Sequence, residues 1–131
     1  MRVSVTHTID DLASDLAKIP VLAVKDMRKV VREATIVGNT VARDNARRTS
    51  GAHGKLYPRS FTWEMRGGLF GGASFTGEYG PDMARPQGGM SFEFGSRNQP
   101  PHLDLAKSAD LIGPSFAQEV RAVMGDWFWP A

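Results

Sequence analysis

The sequence predicts an α+β domain: a small antiparallel sheet of three to four strands packed against a long N-terminal helix and a C-terminal helix. Two observations predict this class. Apolar residues recur at helical spacing over residues 21–48 and 100–131, and they alternate with polar residues in short runs between 59 and 95. Short connections between these runs favour antiparallel pairing. The 131 residues have the length of one domain, 1–131.

Residues 1–20 are expected to contain an N-terminal helix. Thr8 or Asp10 can cap its first turn with a side-chain oxygen. Pro20 ends or bends the helix because proline has no N–H to donate. The apolar residues at helical spacing are Ile9, Leu12, Leu16 and Ile19.

A longer helix is predicted over residues 21–48. One face is an apolar stripe, and the other is basic. The stripe comprises Val24, Met27, Val31, Ala34, Gly38 and Val41. The basic face comprises Lys25, Arg28, Lys29, Arg32, Arg43 and Arg47. Such a face is usually solvated, but it can also bind an acidic surface of another subunit or DNA, so these residues form a candidate interface.

Residues 49–58 contain two glycines and a proline and predict a flexible loop. The β-sheet is expected over 59–95, with strands at Ser60–Met65, Ala73–Tyr79 and Met90–Phe94. Glycine pairs between the first two strands indicate a hairpin. Inward-facing side chains are expected to include Phe61, Trp63, Met65, Phe75, Tyr79, Phe92 and Phe94.

The C-terminal helical region, 100–131, begins after Pro100-Pro101 and is expected to be interrupted at Gly113-Pro114. An aromatic segment follows, and two interpretations of it stay open. It can anchor against the sheet, or it can bind a partner, because tryptophan is enriched at interface hot spots. The aromatic candidates for an interface are Trp127, Phe128 and Trp129.

Composition excludes several classes of site. The chain has no cysteine, so disulfides and cysteine zinc sites are excluded. No apolar run approaches the roughly 20 residues that span a bilayer, and no signal peptide is evident, so we expect a protein made in a cytoplasm. Residues 1–70 hold 12 basic and 7 acidic residues, whereas residues 71–131 hold 4 and 7. This imbalance suits either front-to-back association of copies or internal ion pairs.

No arrangement of residues predicts catalysis, a cofactor site or a metal site. His7, His53 and His102 lack a second ligand at metal-binding spacing. Glu78 and Glu93 are expected on neighbouring strands, where solvated glutamates are the ordinary explanation. The glycine clusters do not match a phosphate-binding loop. A small hydrolase that uses His53 or His102 is therefore the weakest hypothesis.

Residues 43–131 resemble the small neck proteins of long-tailed phages, the tail-completion or head–tail connector family that includes the minor tail protein Z of phage lambda. The resemblance rests on the order of several short motifs after a long helix. They are Pro58-Arg59-Ser60-Phe61, Tyr79-Gly80-Pro81, Phe92-Glu93-Phe94-Gly95 and Gln99-Pro100-Pro101-His102-Leu103. The sequence departs from the family pattern at His102–Leu105 and in the aromatic segment.

The resemblance implies a structural virion protein of the head–tail junction and no enzymatic activity. It implies a homo-oligomeric ring, sixfold, that joins head-closure proteins to the tail terminator or tail tube, with DNA passing through the lumen. No membrane, cofactor or small-molecule substrate is expected, and the protein would be located in the virion after synthesis in the host bacterial cytoplasm. The alternatives are a tail terminator ring protein and a nucleic-acid-binding module that uses the basic face.

Overall fold

The computed structural model describes residues 2–8, 21–67, 74–97 and 100–128, without the side chains of residues 7, 8, 21–24, 74 and 126–128. The described part is an antiparallel sheet of three strands with two long helices, which confirms the predicted α+β class. Its elements are β1 (Val3–Thr8), α1 (Val21–Thr49), a 3₁₀ turn (Pro58–Ser60), β2 (Phe61–Gly67), β3 (Ser74–Pro81), α2 (Ser91–Phe94) and α3 (Asp104–Phe128).

The strand β3 is the centre of the sheet, whose order is β1-β3-β2. Both neighbours run antiparallel to it, with Val3 opposite Tyr79 and Phe61 opposite Pro81. Arg2 ties the three strands together at one end: its guanidinium donates to the carbonyl oxygens of Gly80 (3.1 Å) and Thr62 (2.9 Å). The predicted hairpin is confirmed as antiparallel pairing of β2 with β3.

The core lies between one face of the sheet and the helices. From the sheet, Val5, Phe61, Phe75 and Tyr79 are buried, and for β3 this confirms the alternating pattern. The inward-facing prediction is wrong for Trp63 and Phe94, which are 37% and 54% exposed. From α1, the buried side chains follow the predicted apolar stripe, and α3 packs along α1. The buried residues of the helices include Met27, Val30, Val31, Ala34, Ala42, Ala46, Leu105 and Ile112.

Two glycines allow close contact between the layers. A Cβ atom at Gly77 of β3 would lie 1.8 Å from the Oγ1 atom of Thr35 on α1. A Cβ atom at Gly38 of α1 would lie 2.5 Å from the Tyr79 ring and 2.9 Å from Cδ1 of Ile112 on α3. Gly38 therefore lies where α1, α3 and the sheet meet, and only a residue without a side chain fits there.

The N-terminal and third-strand predictions are wrong in part. Residues 3–8 form β1, not helix, because Val3 and Val5 alternate with the polar residues Ser4 and Thr6. A helix within 9–20 lies outside the described residues. Residues 90–94 were predicted as a strand, but 91–94 form the helical turn α2. The alternation of Phe92, Glu93 and Phe94 fits a strand equally well; contacts with distant residues select the turn.

Two other boundaries also differ from the prediction. The interruption expected at Gly113-Pro114 is wrong, because α3 continues through Pro114. Proline inside a helix costs about 3 kcal/mol, and the burial of Ile112 and the packing of Phe116 against the core offset that cost. The segment predicted as a flexible loop, 49–58, contains turns and places Tyr57 in the core, fully buried.

We expect alanine at Gly38 to destabilise the protein and alanine at Gly125 to stabilise it. Both glycines lie inside long helices, so each substitution gains up to about 1 kcal/mol of helix propensity. A Cβ atom at Gly125 meets no atom within 4 Å, whereas at Gly38 it overlaps Tyr79 and Ile112. Overpacking costs about 1–3 kcal/mol. Urea unfolding of the two variants measures the difference; equal free energies of unfolding would contradict the close contact.

Candidate assembly interface

The start of α3 is held by a buried glutamate from another element. Glu93 of α2 is fully buried, and its two carboxylate oxygens accept hydrogen bonds from the backbone N–H groups of Leu105 (2.9 Å) and Ala106 (3.0 Å). The first N–H groups of a helix have no partner within the helix, and its N-terminus favours negative charge. Glu93 therefore caps α3 from a distance of twelve residues along the chain.

A second buried carboxylate joins the same helix end to α1. Asp104, fully buried, accepts hydrogen bonds from the hydroxyl of Thr49 at 2.9 and 3.0 Å. The Asn45 side chain donates to the Asp104 carbonyl at 3.2 Å. Nδ1 of His102 lies 3.8 Å from the Asp104 carboxylate. The end of α1 and the beginning of α3 are thus fixed to each other by polar contacts.

Aromatic rings pack against each other beside this contact between α1 and α3, which we call the buried joint. Tyr57 stacks on Phe92 with ring centroids 4.5 Å apart and meets Phe61 edge-on at 5.1 Å. Burial raises the pKa of the Tyr57 hydroxyl far above its ordinary value, and the nearby Asp104 and Glu93 carboxylates raise it further. Burial likewise raises the pKa of Asp104, partly offset by the Thr49 hydrogen bond. The Tyr57 ring is held by this packing, whereas its buried hydroxyl has no hydrogen-bond partner among the described residues.

The candidate groups for chemistry do not converge. Glu78 pairs with Arg66 at 3.4 Å on the sheet, whereas Glu93 caps α3, so the two carboxylates have separate partners. The side chain of His53 is exposed, and that of His102 stacks obliquely on Phe92 at 5.7 Å. Within the described ranges no group of three or more His, Cys, Asp or Glu residues is placed to hold a metal ion.

The predicted basic face lies on α1. Five of its six members are exposed, and Arg43 is half-buried. Two members pair with a neighbouring carboxylate, Lys29 with Glu33 at 4.0 Å and Arg47 with Asp44 at 3.2 Å. Such exposed pairs stabilise the fold by at most about 1 kcal/mol. The basic face is therefore available for contact with another molecule.

The basic face continues into an exposed aromatic side chain on the sheet. Trp63 lies on the edge strand β2 and is 37% exposed, although the alternation of β2 directs it toward the helix side. The guanidinium carbon of Arg32 lies 5.7 Å from the centroid of its ring, which is cation–π geometry. We call Arg28, Arg32 and Trp63 the edge patch.

An apolar groove lies between α1 and α3. It encloses about 460 Å³. Its walls carry two of the most exposed aliphatic side chains of the described residues, Val37 (52%) and Leu111 (63%). Glu33 and Glu119 also line it and supply negative charge. We call this the interhelical groove; its apolar lining includes Ala34, Ile36, Val37, Val41, Leu111, Ile112 and Phe116.

Sequence reasoning missed the interhelical groove, but a sequence feature was available. Val37 lies about 40° around α1 from Val41 of the predicted apolar stripe, and Ile36 and Leu111 lie about 100° or more from the nearest stripe residue of their own helices. Both helices are therefore apolar over a wider arc than one contact needs. Among the aromatic candidates, Trp127 and Phe128 end α3 but their side chains are not described, and Trp129 lies outside the described residues.

Comparison of the chain with protein-family models, with curated proteins and with solved structures finds no match. In the described ranges, no helix combines the length and apolar character needed to traverse a bilayer. The features available for function are therefore the two exposed surfaces, the edge patch and the interhelical groove, and the buried joint that positions α3.

We expect Glu93→Gln to lower the free energy of unfolding by about 1–3 kcal/mol, because the amide group then faces a buried N–H donor that loses its acceptor. The matched control is Glu64→Gln, which removes an exposed carboxylate paired with Arg66 and should leave the free energy of unfolding nearly unchanged. Chemical unfolding measures both. A loss no larger for Glu93→Gln than for Glu64→Gln would contradict the capping role.

We expect the stability difference between wild type and Asp104→Asn to increase in favour of wild type as the pH falls. Burial raises the pKa of Asp104 in the folded state, so the folded protein binds this proton more tightly than the unfolded chain. The resulting stabilisation is complete below the ordinary aspartate pKa of about 3.9 and is lost as the pH rises through the raised value.

Unfolding of both proteins from pH 7 to pH 3 measures this difference. Thr49→Val is the informative second variant, because it removes the hydrogen bond that lowers the Asp104 pKa. The same comparison of Asp104 with Asp104→Asn is therefore made in the Thr49→Val background. There the stability difference should change at a higher pH than in the wild-type background. A difference that shrinks as the pH falls would show that Asp104 is stabilised as a carboxylate.

Proposed function

We propose that this protein is a structural component of the phage head–tail junction, a subunit of the ring that joins head-completion proteins to the tail. The observation that carries the proposal is the order of the motifs shared with the neck-protein family. After the long helix come the Pro58–Phe61 entry to β2, the Tyr79–Pro81 end of β3, the Phe92–Gly95 turn and the proline-rich entry to α3.

The contacts of these motifs support the proposal, because they connect motifs that are far apart in the sequence. The glutamate of the Phe92–Gly95 motif caps the helix that follows Pro100-Pro101. The backbone N–H of His102 donates to the Phe92 carbonyl at 2.8 Å. Because the residues of these motifs contact one another, the motifs hold the fold together. Motifs with this role are expected in a structural protein.

The surface also supports an assembly function. The edge patch and the interhelical groove expose aromatic, aliphatic and charged side chains, which are the components of protein–protein interfaces. In the proposed sixfold ring, each subunit contacts further copies of this chain. The ring as a whole contacts head-closure proteins on one side and the tail terminator or tail tube on the other. The same surfaces would serve a tail terminator ring, the closest alternative.

A nucleic-acid-binding module is the second candidate function, favoured by one observation. Five cationic side chains of the basic face are exposed along α1. Phosphate contacts of this kind give binding that weakens steeply as the salt concentration rises. In a ring, such a face could instead line the lumen through which DNA passes.

We expect an early stop codon in the gene for this chain to abolish infectious particles while DNA-filled heads and complete tails accumulate separately. The physical reason is that a missing ring leaves the two subassemblies without a joining surface. Electron microscopy of the lysate and titration of infectivity measure the outcome. Expression of the wild-type chain in trans is the control and should restore joined particles.

Normal infectious particles from the stop-codon mutant would refute the proposed function. Mass spectrometry of purified wild-type virions gives an independent readout, since a ring component should be present in a fixed ratio to the tail proteins. Absence of the chain from purified virions would refute the proposal as well.

A further inference from the structure

Two exposed surfaces of this chain lie on opposite sides of α1. Arg28 and Val37 are nine residues apart, as are Arg32 and Val41. Nine residues are about two and a half turns of an α-helix, so each arginine points away from its valine. The arginines belong to the edge patch, and the valines belong to the interhelical groove. Ile36, which also lines the groove, lies four residues after Arg32 and borders the edge patch. The centres of the two surfaces therefore face away from each other.

The edge patch is cationic and aromatic. Arg28 and Arg32 are exposed, and the ion pairs between described residues involve neither of these arginines. Trp63, 37% exposed, lies beside Arg32 at the open edge of the sheet. Tryptophan and arginine are the residues most enriched at interface hot spots. The edge patch thus has the composition of an anchoring surface.

The interhelical groove is apolar and acidic. Val37 and Leu111 expose more than half of their surface, which is costly for aliphatic side chains lying next to each other in one groove. Glu33 and Glu119 line the same groove. The Lys29–Glu33 pair, 4.0 Å long and largely exposed on both sides, neutralises this charge only weakly. The groove therefore suits an aromatic group flanked by cations.

We propose that the interhelical groove of one copy binds the edge patch of a second copy, with the Trp63 ring against Val37 and Leu111 and with Arg28 and Arg32 facing Glu33 and Glu119. This inference rests on the proposed ring function and names the surfaces that would form the ring. Because the two surfaces differ and lie on opposite sides of α1, the contact is heterologous, and repeating it generates a closed ring or a filament.

Charge complementarity selects this occupant over a symmetric pairing. Two grooves packed face to face would bring Glu33 and Glu119 of both copies together, and two edge patches would bring arginines together. Like charges juxtaposed across an interface are strongly unfavourable. Groove against edge patch pairs opposite charges and covers the exposed aliphatic and aromatic side chains at the same time.

The first test measures self-association by sedimentation velocity over a range of protein concentrations. We expect the wild-type chain to form oligomers that weaken as salt is added. Leu111→Glu in the groove and Arg32→Glu in the edge patch should each weaken association at least about tenfold. Met83→Glu is the matched control, because Met83 is 79% exposed and lies in neither surface; it should associate like wild type. Circular dichroism confirms that each variant is folded.

Mixing the variants tests the direction of the contact. Leu111→Glu retains an intact edge patch, and Arg32→Glu retains an intact groove. An equimolar mixture should therefore form a heterodimer with wild-type affinity that does not grow further, because the two remaining surfaces are both defective. A symmetric interface would show no such rescue.

A wild-type chain that stays monomeric at about 1 mM, the weak limit of specific association, would overturn the inference. Unchanged association of either variant, or no heterodimer in the mixture, would also overturn it. These failures are distinct from failure of the proposed function. If the stop-codon mutant loses infectivity while Leu111→Glu associates normally, the function stands and this contact falls. If the heterodimer forms but the mutant is fully infectious, the contact stands and the function falls.

Discussion

The position of α3 depends on one buried carboxylate, that of Glu93. Its oxygens bind the first free N–H groups of α3, and the Asp104–Thr49 contact ties the same helix end to the end of α1. Removing one partner of a buried charged pair leaves the other partner buried and unpaired. The free-energy cost of that loss exceeds the net stabilisation that the intact pair supplies, so these contacts constrain the fold strongly. The interhelical groove exists because these contacts hold α3 at a fixed place along α1.

The buried contacts between the end of α1 and the start of α3 differ in chemistry from the exposed surfaces. In the interior, Glu93 caps α3 and Asp104 binds Thr49. The rings of Tyr57 and His102 pack against Phe92, whereas the Tyr57 hydroxyl and Nδ1 of His102 have no hydrogen-bond partner among the described residues. The groups available to another molecule are arginines, a tryptophan and aliphatic side chains on two sides of α1. The described residues thus combine a packed interior with two exposed surfaces that are accessible to another molecule.

Local patterns predicted much of this fold. The long helix, the β2–β3 hairpin and the inward direction of Phe75 and Tyr79 follow from spacing alone. The errors arose where distant partners decide the structure: β1 exists because β3 pairs with it, and residues 91–94 turn because Glu93 must reach α3. The basic residues of the interface were visible in the sequence, but the groove was not, because it arises only when two helices are placed side by side.

The strand order β1-β3-β2 has a consequence for how the chain folds during synthesis. Val3 pairs with Tyr79, 76 residues later, whereas β2 and β3 are neighbours along the chain. The strands β1 and β2 do not pair with each other, so β1 has no partner in the sheet until β3 has been made. Closing a loop costs more entropy for a contact distant in sequence than for a local one. The β2–β3 hairpin is therefore expected to close first, and β1 stays an unpaired strand of the nascent chain until residue 81 has been made.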